Sequence, residues 1–171
     1  MLAPPPSPLH SPRNILILCT GNSARSILGE ALINHLGAGR FRGYSAGSQP
    51  AGAINPLALT TLAAHGISGA AMRSKSWDEF TQADSPRMDF IITVCDSAAA
   101  EPCPYFPGNG LRAHWGIEDP SHITGSEAVK RAAFEQAFEK LHRKVSAFMA
   151  LPPTLEKEAL RTQLIAIGQM Q

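Results

Sequence analysis

A cysteine and an arginine enclose five residues in Cys19-Thr20-Gly21-Asn22-Ser23-Ala24-Arg25, and Ser26 follows. In such a loop, successive N–H groups turned inward at the start of a helix cradle an anion, because unpaired donors and the helix dipole both favour negative charge. Gly21 and Asn22 tolerate the backbone angles this needs. Arg25 can give two parallel hydrogen bonds to a tetrahedral oxyanion, a geometry lysine cannot reproduce. The same positive surroundings are expected to lower the pKa of the Cys19 thiol, with the Ser26 hydroxyl as an extra donor. The chemistry implied is a thiolate aimed at an oxyanion that is held by Thr20, Gly21, Asn22, Ser23, Ala24 and Arg25.

A cysteine and an arginine at this spacing mean little alone; their position between a strand and a helix gives them weight. Asn14 to Leu18 is an apolar run that reads as a strand buried on both faces, delivering Cys19 at its end. From Ala24 to Leu36, apolar residues recur at helical spacing, and Gly37 is expected to end the helix. Phe41 to Ala46 is a second strand, and Asn55-Pro56 supplies an N-cap and a first-turn proline for a helix running to His65. Met88 to Val94 is a third strand that delivers Cys95 as the first delivers Cys19. Pro102, Pro104, Pro107, Gly108 and Gly110 make a surface loop that carries Cys103. A strand at Leu111 to His114 and a loop with Asp119-Pro120 precede a helix from Ser126 to Phe148, and Pro152-Pro153 separate this from a last amphipathic helix, Leu155 to Ile167. Trp115 is expected to pack at a strand end. Strands alternating with helices imply an α/β fold whose parallel sheet binds ligands outside the carboxyl ends of its strands, where Cys19, Cys95 and Asp119 fall.

The 171 residues suit one domain with one substantial core, and 44% hydrophobic residues are too many for a disordered chain. No apolar run approaches the ~20 residues that span a bilayer. Fifteen Lys and Arg against fourteen Asp and Glu give no field that would attract nucleic acid or an anionic membrane. Three cysteines argue against a secreted disulfide scaffold, and the proline-rich start lacks the pattern of a secretory signal, so a cytoplasmic protein is expected. Residues 1–13 read as a disordered tail, 14–150 as the catalytic domain and 151–171 as a helical extension. The six histidines show no ligand spacing, so no metal is expected.

Cys19 to Ser26, with the order of elements as far as Phe148, resembles the low-molecular-weight tyrosine phosphatase superfamily. The resemblance implies a three-layer sandwich around a four-stranded parallel sheet of order 2-1-3-4. It also implies that Cys19 attacks the oxyanion while Asp119 of Asp119-Pro120 serves as general acid. Two branches share this machinery: phosphatases of phosphotyrosine, and arsenate reductases coupled to thioredoxin. The phosphatases have a cysteine where this chain has Ala24, and aromatic residues after Asp-Pro where it has Ser121-His122. Val94-Cys95-Asp96, Glu101-Pro102-Cys103-Pro104 and His114-Trp115-Gly116-Ile117-Glu118-Asp119-Pro120 are similar to the reductase pattern.

On that resemblance, Cys95 and Cys103 are relay cysteines, the substrate is arsenate with phosphate or sulfate as analogues, and no cofactor is tightly bound. The cycle is closed by an external thiol reductant, either thioredoxin or glutaredoxin with glutathione. Forming the relay disulfide requires the chain between the two cysteines to unwind, so Ala98 to Ala100 are expected to be helical only in the reduced protein. A cation site of some reductases has counterparts in Asn22, Glu30 and Ser45, while its aspartate position falls on Lys75, whose ammonium is expected to replace a potassium ion. A monomer is expected. Two other readings stay open: a phosphatase of phosphotyrosine or small phosphoesters, for which Cys19, Arg25 and Asp119 suffice, and a non-enzymatic oxyanion binder that needs neither Cys95 nor Cys103.

Overall fold

The central strand is the apolar run that carries Cys19. In the computed structural model, which describes residues 12–100 and 102–170, β1 (Arg13–Cys19) lies between β2 (Phe41–Gly47) and β3 (Phe90–Thr93), and β4 (Leu111–His114) pairs with β3. All pairings are parallel and the order is β2-β1-β3-β4, with Leu18 opposite both Ala46 and Thr93. Ile15, Leu16, Ile17 and Leu18 are buried without alternation because both faces of a central parallel strand are covered. Ile15, Ile17, Phe90 and Ile92 share one core with α1 (Arg25–Gly37) and α4 (Glu127–Met149). Leu16, Leu18 and Ile91 face the other way, onto Met88, Phe106 and Phe80 of a 3-10 turn at Trp77–Phe80.

Differences from the expected boundaries have local causes. Helix α1 runs through Gly37, and it is Ala38 that takes the left-handed conformation, with φ at 48°. Gly37 instead allows close approach, since a Cβ there would stand 3.2 Å from Phe41 Cβ. The ladder of β3 is shorter than the apolar run, yet Val94 N still donates to Leu18 O at 2.9 Å. Helix α2 (Pro56–Ala64) starts as read, with Asn55 Oδ1 accepting from Leu57 N at 2.9 Å. A short α3 (Asp96–Ala100) follows Cys95, and the cysteines are free. Arg13 opens β1; the expected disordered tail otherwise lies outside the described residues.

Helix α5 (Lys157–Gly168) packs against β4, burying Leu160, Leu164 and Ile167 in the main core. Buried Trp115 packs as expected and donates from Nε1 to Leu164 O at 3.0 Å. Lys144 closes the end of α5: its buried Nζ donates to Ile167 O, Gly168 O and Met170 O at 3.1, 3.0 and 2.7 Å. Met170 N also donates to Ile167 O at 3.1 Å, and the Lys144 ammonium adds a charged donor at the negative end of the helix dipole. Burial, with Arg143 and Lys140 nearby, pulls the Lys144 ammonium below its ordinary pKa. Leu164→Ala is expected to cost about 2–5 kcal/mol in urea unfolding, whereas truncating exposed Ile165 should stay within about 0.5 kcal/mol. Equal midpoints for the two would mean that α5 is not integral to the core.

Candidate active site

Cys19 leaves β1 into a tight loop whose shape is held by Asn22. Asn22 has φ at 46°, which turns its N–H to donate to Cys19 Sγ at 3.1 Å. Gly21 has no such conformation; the left-handed step falls on Asn22 because its side chain anchors there. Lys75 N donates to Asn22 Oδ1 at 2.9 Å, and Asn22 Nδ2 donates to Ser26 Oγ at 2.8 Å and Ser45 Oγ at 3.0 Å. With Ser26 accepting from Asn22, the serine proton is free for Cys19 Sγ, 2.8 Å away. Gly47 at the end of β2 permits this packing, since a Cβ there would lie 2.3 Å from Thr20 O.

The four residues of the expected cation-site counterpart stand together. Ser45 Oγ donates to Glu30 Oε1 at 3.1 Å, and Lys75 Nζ lies 3.6 Å from the same oxygen and donates to Arg73 O. Burial pushes the Glu30 carboxyl up and the Lys75 ammonium down, and each offsets the other's shift by its charge. Asn22 Nδ2 thus donates both ways, through Ser45 to the Glu30 carboxylate paired with Lys75 and through Ser26 to the sulfur.

One expectation needs correction. Burial pushes the Cys19 thiol above its ordinary pKa, although Ser26 Oγ and the backbone N–H groups of Asn22 and Ser26 each act to lower it. The sulfur is nearly enclosed, so the lost hydration outweighs the donors. Arg25 is engaged within the protein: its NH1 donates to Ile117 O at 2.9 Å and its NH2 pairs with Asp119 Oδ2 at 3.2 Å. For Asp119, burial raises the pKa, but the Ser121 donors, Arg25 and His122 together pull it below the ordinary carboxylate value. Ser121 N and Oγ both donate to Asp119 Oδ1, at 2.9 and 2.6 Å. The sequence reading missed Ser121, although Asp-Pro at an N-cap position is the signal for such a bond.

Cys19, the loop to Arg25, Asp119, Ser121, His122 and Ser97 line a cleft of about 330 Å³. Cys95 is buried beside it, with its Sγ 3.6 Å from Thr20 Oγ1 and accepting from Ala98 N. Cys103 does not join the cleft: it is exposed and its Sγ accepts from Arg112 NH1 at 2.9 Å. Among the described residues no group of three or more His, Cys, Asp or Glu could hold a metal, and no helix is long and apolar enough to cross a membrane.

Residues 14–162 match the family described as low molecular weight phosphotyrosine protein phosphatase. The chain belongs to that family. Arsenate reductase of Halalkalibacterium halodurans is 32% identical over 134 residues, covering 78% of this chain and 93% of the relative. Arsenate reductase of Bacillus licheniformis is 34% identical over 139 residues, covering 81% and 96%. Among solved structures, arsenate reductase from Archaeoglobus fulgidus superposes with a TM-score of 0.57 at 27% identity over 77% of this chain and 98% of that one. The tyrosine phosphatase Wzb from Escherichia coli, in complex with sulphate, does so with 0.61 at 20% identity over 80% and 95%. Reductases and phosphatases thus share this fold, and the residues lining the cleft must separate them.

Ser26→Ala removes a donor that lowers the Cys19 pKa. The pH profile of iodoacetamide alkylation of Cys19 is therefore expected to move to higher pH, and an unmoved profile would exclude the Ser26–sulfur bond. Asp119 has a depressed folded-state pKa, so its contribution to stability is present above the unfolded value and lost as pH falls through the folded one. Ser121→Ala raises that lower limit, so acid unfolding should begin at higher pH than in the parent.

Proposed function

We propose that this protein reduces arsenate to arsenite, using Cys19 as nucleophile and Cys19, Cys95 and Cys103 as a thiol–disulfide relay. The observation that carries this reading is the placement of the second cysteine: Cys95 Sγ lies 3.6 Å from the hydroxyl of Thr20, the residue following the nucleophile. A phosphatase has no use for a thiol there. The described residues that line the cleft include no phenylalanine, tyrosine or tryptophan to grip a phenyl ring. The arsenate reductases at 32% and 34% identity support the same branch.

Substrate oxyanion enters the loop and draws Arg25 from Asp119, since a tetrahedral dianion accepts the guanidinium fork better than one carboxylate oxygen does. Asp119, losing its cation and facing new negative charge, takes up a proton and serves as general acid. Cys19 passes its thiol proton to the bound dianion and its sulfur attacks arsenic; an S–As bond forms and an As–O bond breaks, the oxygen leaving as water with the Asp119 proton. Cys95 then attacks the Cys19 sulfur. The S–As bond breaks with its electron pair remaining on arsenic, which leaves as arsenite. Cys103 attacks Cys95, freeing Cys19 as thiolate, and an external dithiol of the thioredoxin or glutaredoxin kind, or glutathione, reduces the Cys95–Cys103 bond. Two electrons pass from protein thiols to arsenic, and the reductant restores them.

Lys75 takes the place of a cation in this scheme: its ammonium supplies the positive charge beside Glu30, whose carboxylate accepts from Ser45 and so leaves the Ser45 oxygen to accept from Asn22. Exchanging sodium for potassium is therefore expected to leave turnover unchanged, and a several-fold rise with potassium would remove this role from Lys75.

The deciding assay is arsenate-dependent NADPH oxidation with thioredoxin and thioredoxin reductase, run beside hydrolysis of para-nitrophenyl phosphate. Arsenate turnover is expected in the parent and should be lost in Cys95→Ser and Cys103→Ser, with hydrolysis feeble throughout. Fast hydrolysis, no arsenate turnover and a harmless Cys95→Ser would make this a phosphatase acting through Cys19, Arg25 and Asp119.

A further inference from the structure

Two exposed residues of β4, Arg112 and His114, stand two positions apart and so project from the same face of the sheet. Each holds one end of the stretch between Cys95 and Cys103. At the far end, Arg112 NH1 donates to Cys103 Sγ at 2.9 Å and NH2 donates to Pro104 O at 3.4 Å. The Arg112 guanidinium also lies 5.9 Å from the centre of the Phe106 ring, whose burial steadies it. At the near end, His114 Nε2 is 2.8 Å from Oδ1 of Asp96, the residue after Cys95, and Nδ1 is 2.8 Å from Thr93 Oγ1. The neutral ring satisfies both contacts when Nε2 carries the proton and Thr93 donates to Nδ1. Gly116 leaves room for this pair, since a Cβ there would meet His114 Nε2 at 3.0 Å and Asp96 Oδ1 at 3.6 Å.

The strand that makes these contacts is itself braced. A Cβ on Gly168 at the end of α5 would lie 2.3 Å from His114 O, so the helix backbone closes directly on β4. Beside it Trp115 is tied to Leu164 O.

We infer that Arg112 and His114 are positioning residues that hold the Cys95–Cys103 pair in its dithiol form, with Cys103 turned outward until the Cys19–Cys95 bond has formed. This rests on the relay proposed above. A disulfide needs Cα atoms about 4.4–6.8 Å apart and sulfurs in bonding contact. Buried Cys95 and exposed Cys103, its sulfur engaged by Arg112, reach that geometry only when the Arg112 contacts are released and α3 deforms. Contacts made only by the dithiol stabilise it against the disulfide, by the same linkage through which a ligand stabilises the state it binds. The relay disulfide is then more readily reduced by an external dithiol. The exchange step itself is electron-neutral: Cys103 forms a bond to Cys95 as the Cys19–Cys95 bond breaks, and Cys19 leaves as thiolate.

The test measures the equilibrium of this one pair in the full-length chain. In a Cys19→Ser background, protein is equilibrated with reduced and oxidised glutathione at a series of ratios and alkylated, and the Cys95–Cys103 disulfide is counted by mass spectrometry. Oxidised glutathione accepts the two electrons, giving the protein disulfide and two molecules of glutathione. Arg112→Gln is expected to shift the constant toward disulfide by roughly threefold to tenfold. His114→Ala should shift it the same way by less, because Asp96 is almost fully exposed and such pairs are weak. Both substitutions are at exposed positions, and circular dichroism would report any loss of fold. If the disulfide forms but both variants match the background within twofold, or shift toward dithiol, the inference is overturned while the relay stands. If no Cys95–Cys103 disulfide forms in the Cys19→Ser protein at any ratio, the relay falls, and this inference with it.

Discussion

The site hangs on the conformation of one buried asparagine. Asn22 occupies a left-handed backbone region that costs a residue with a side chain roughly 1–2 kcal/mol, and it stays there because every polar atom of its amide is bonded. The amide joins the loop after β1 to Ser26 at the start of α1, to Ser45 in β2 and to the backbone of Lys75. The backbone N–H that this conformation frees points at the Cys19 sulfur. Loss of any one of these anchors would leave a buried polar group without a partner, and the rest of the cradle would shift with it. The thiol environment is thus set from beneath, by Ser26, Ser45 and Lys75 acting through Asn22.

Above the sulfur, charge is balanced within the protein. Arg25 and Asp119 satisfy each other across the cleft, and Ser121 and His122 hold the carboxylate in its ionised form. On the mechanism proposed above, an incoming oxyanion competes for a guanidinium already engaged. The competition couples binding to chemistry, because the ligand that takes Arg25 also leaves Asp119 without its cation. Enclosure of Cys19 works in the same direction: a thiol held protonated in the unliganded protein is sheltered from chance oxidation, since the thiolate is the reactive form.

Burial also separates the three cysteines. Cys19 and Cys95 are enclosed at the carboxyl ends of neighbouring strands, while Cys103 stands in solvent on a proline-rich loop. Of the three, only Cys103 is open to solvent. Helix α5 belongs to this arrangement through its grip on β4: Lys144 and Trp115 tie its carbonyls down, and bare Gly168 lets it approach the strand. What reads in sequence as a helical extension packs in the structure directly behind β4.

Much of this was legible in the chain by itself. Unbroken hydrophobicity in Ile15 to Leu18 specifies a strand buried on both faces, and the Cys19-to-Ser26 pattern specifies the anion loop that follows it, because both are local signals of residue type and spacing. The N-cap at Asn55-Pro56 and the core stripe of α4 belong to the same class. The meeting of Asn22, Glu30, Ser45 and Lys75 was legible only through resemblance, since no local pattern links residues so far apart. Three features came from tertiary structure alone. The Cys19 pKa moves opposite to the sequence expectation because desolvation depends on everything packed over the sulfur, which charge and spacing do not record. Arg25 faces Asp119 because parallel crossovers bring two distant loops to one edge of the sheet. The contacts of Arg112 and His114 with the segment between Cys95 and Cys103 follow from β4 pairing beside β3, and strand order, unlike strand identity, is decided by which faces can be buried together.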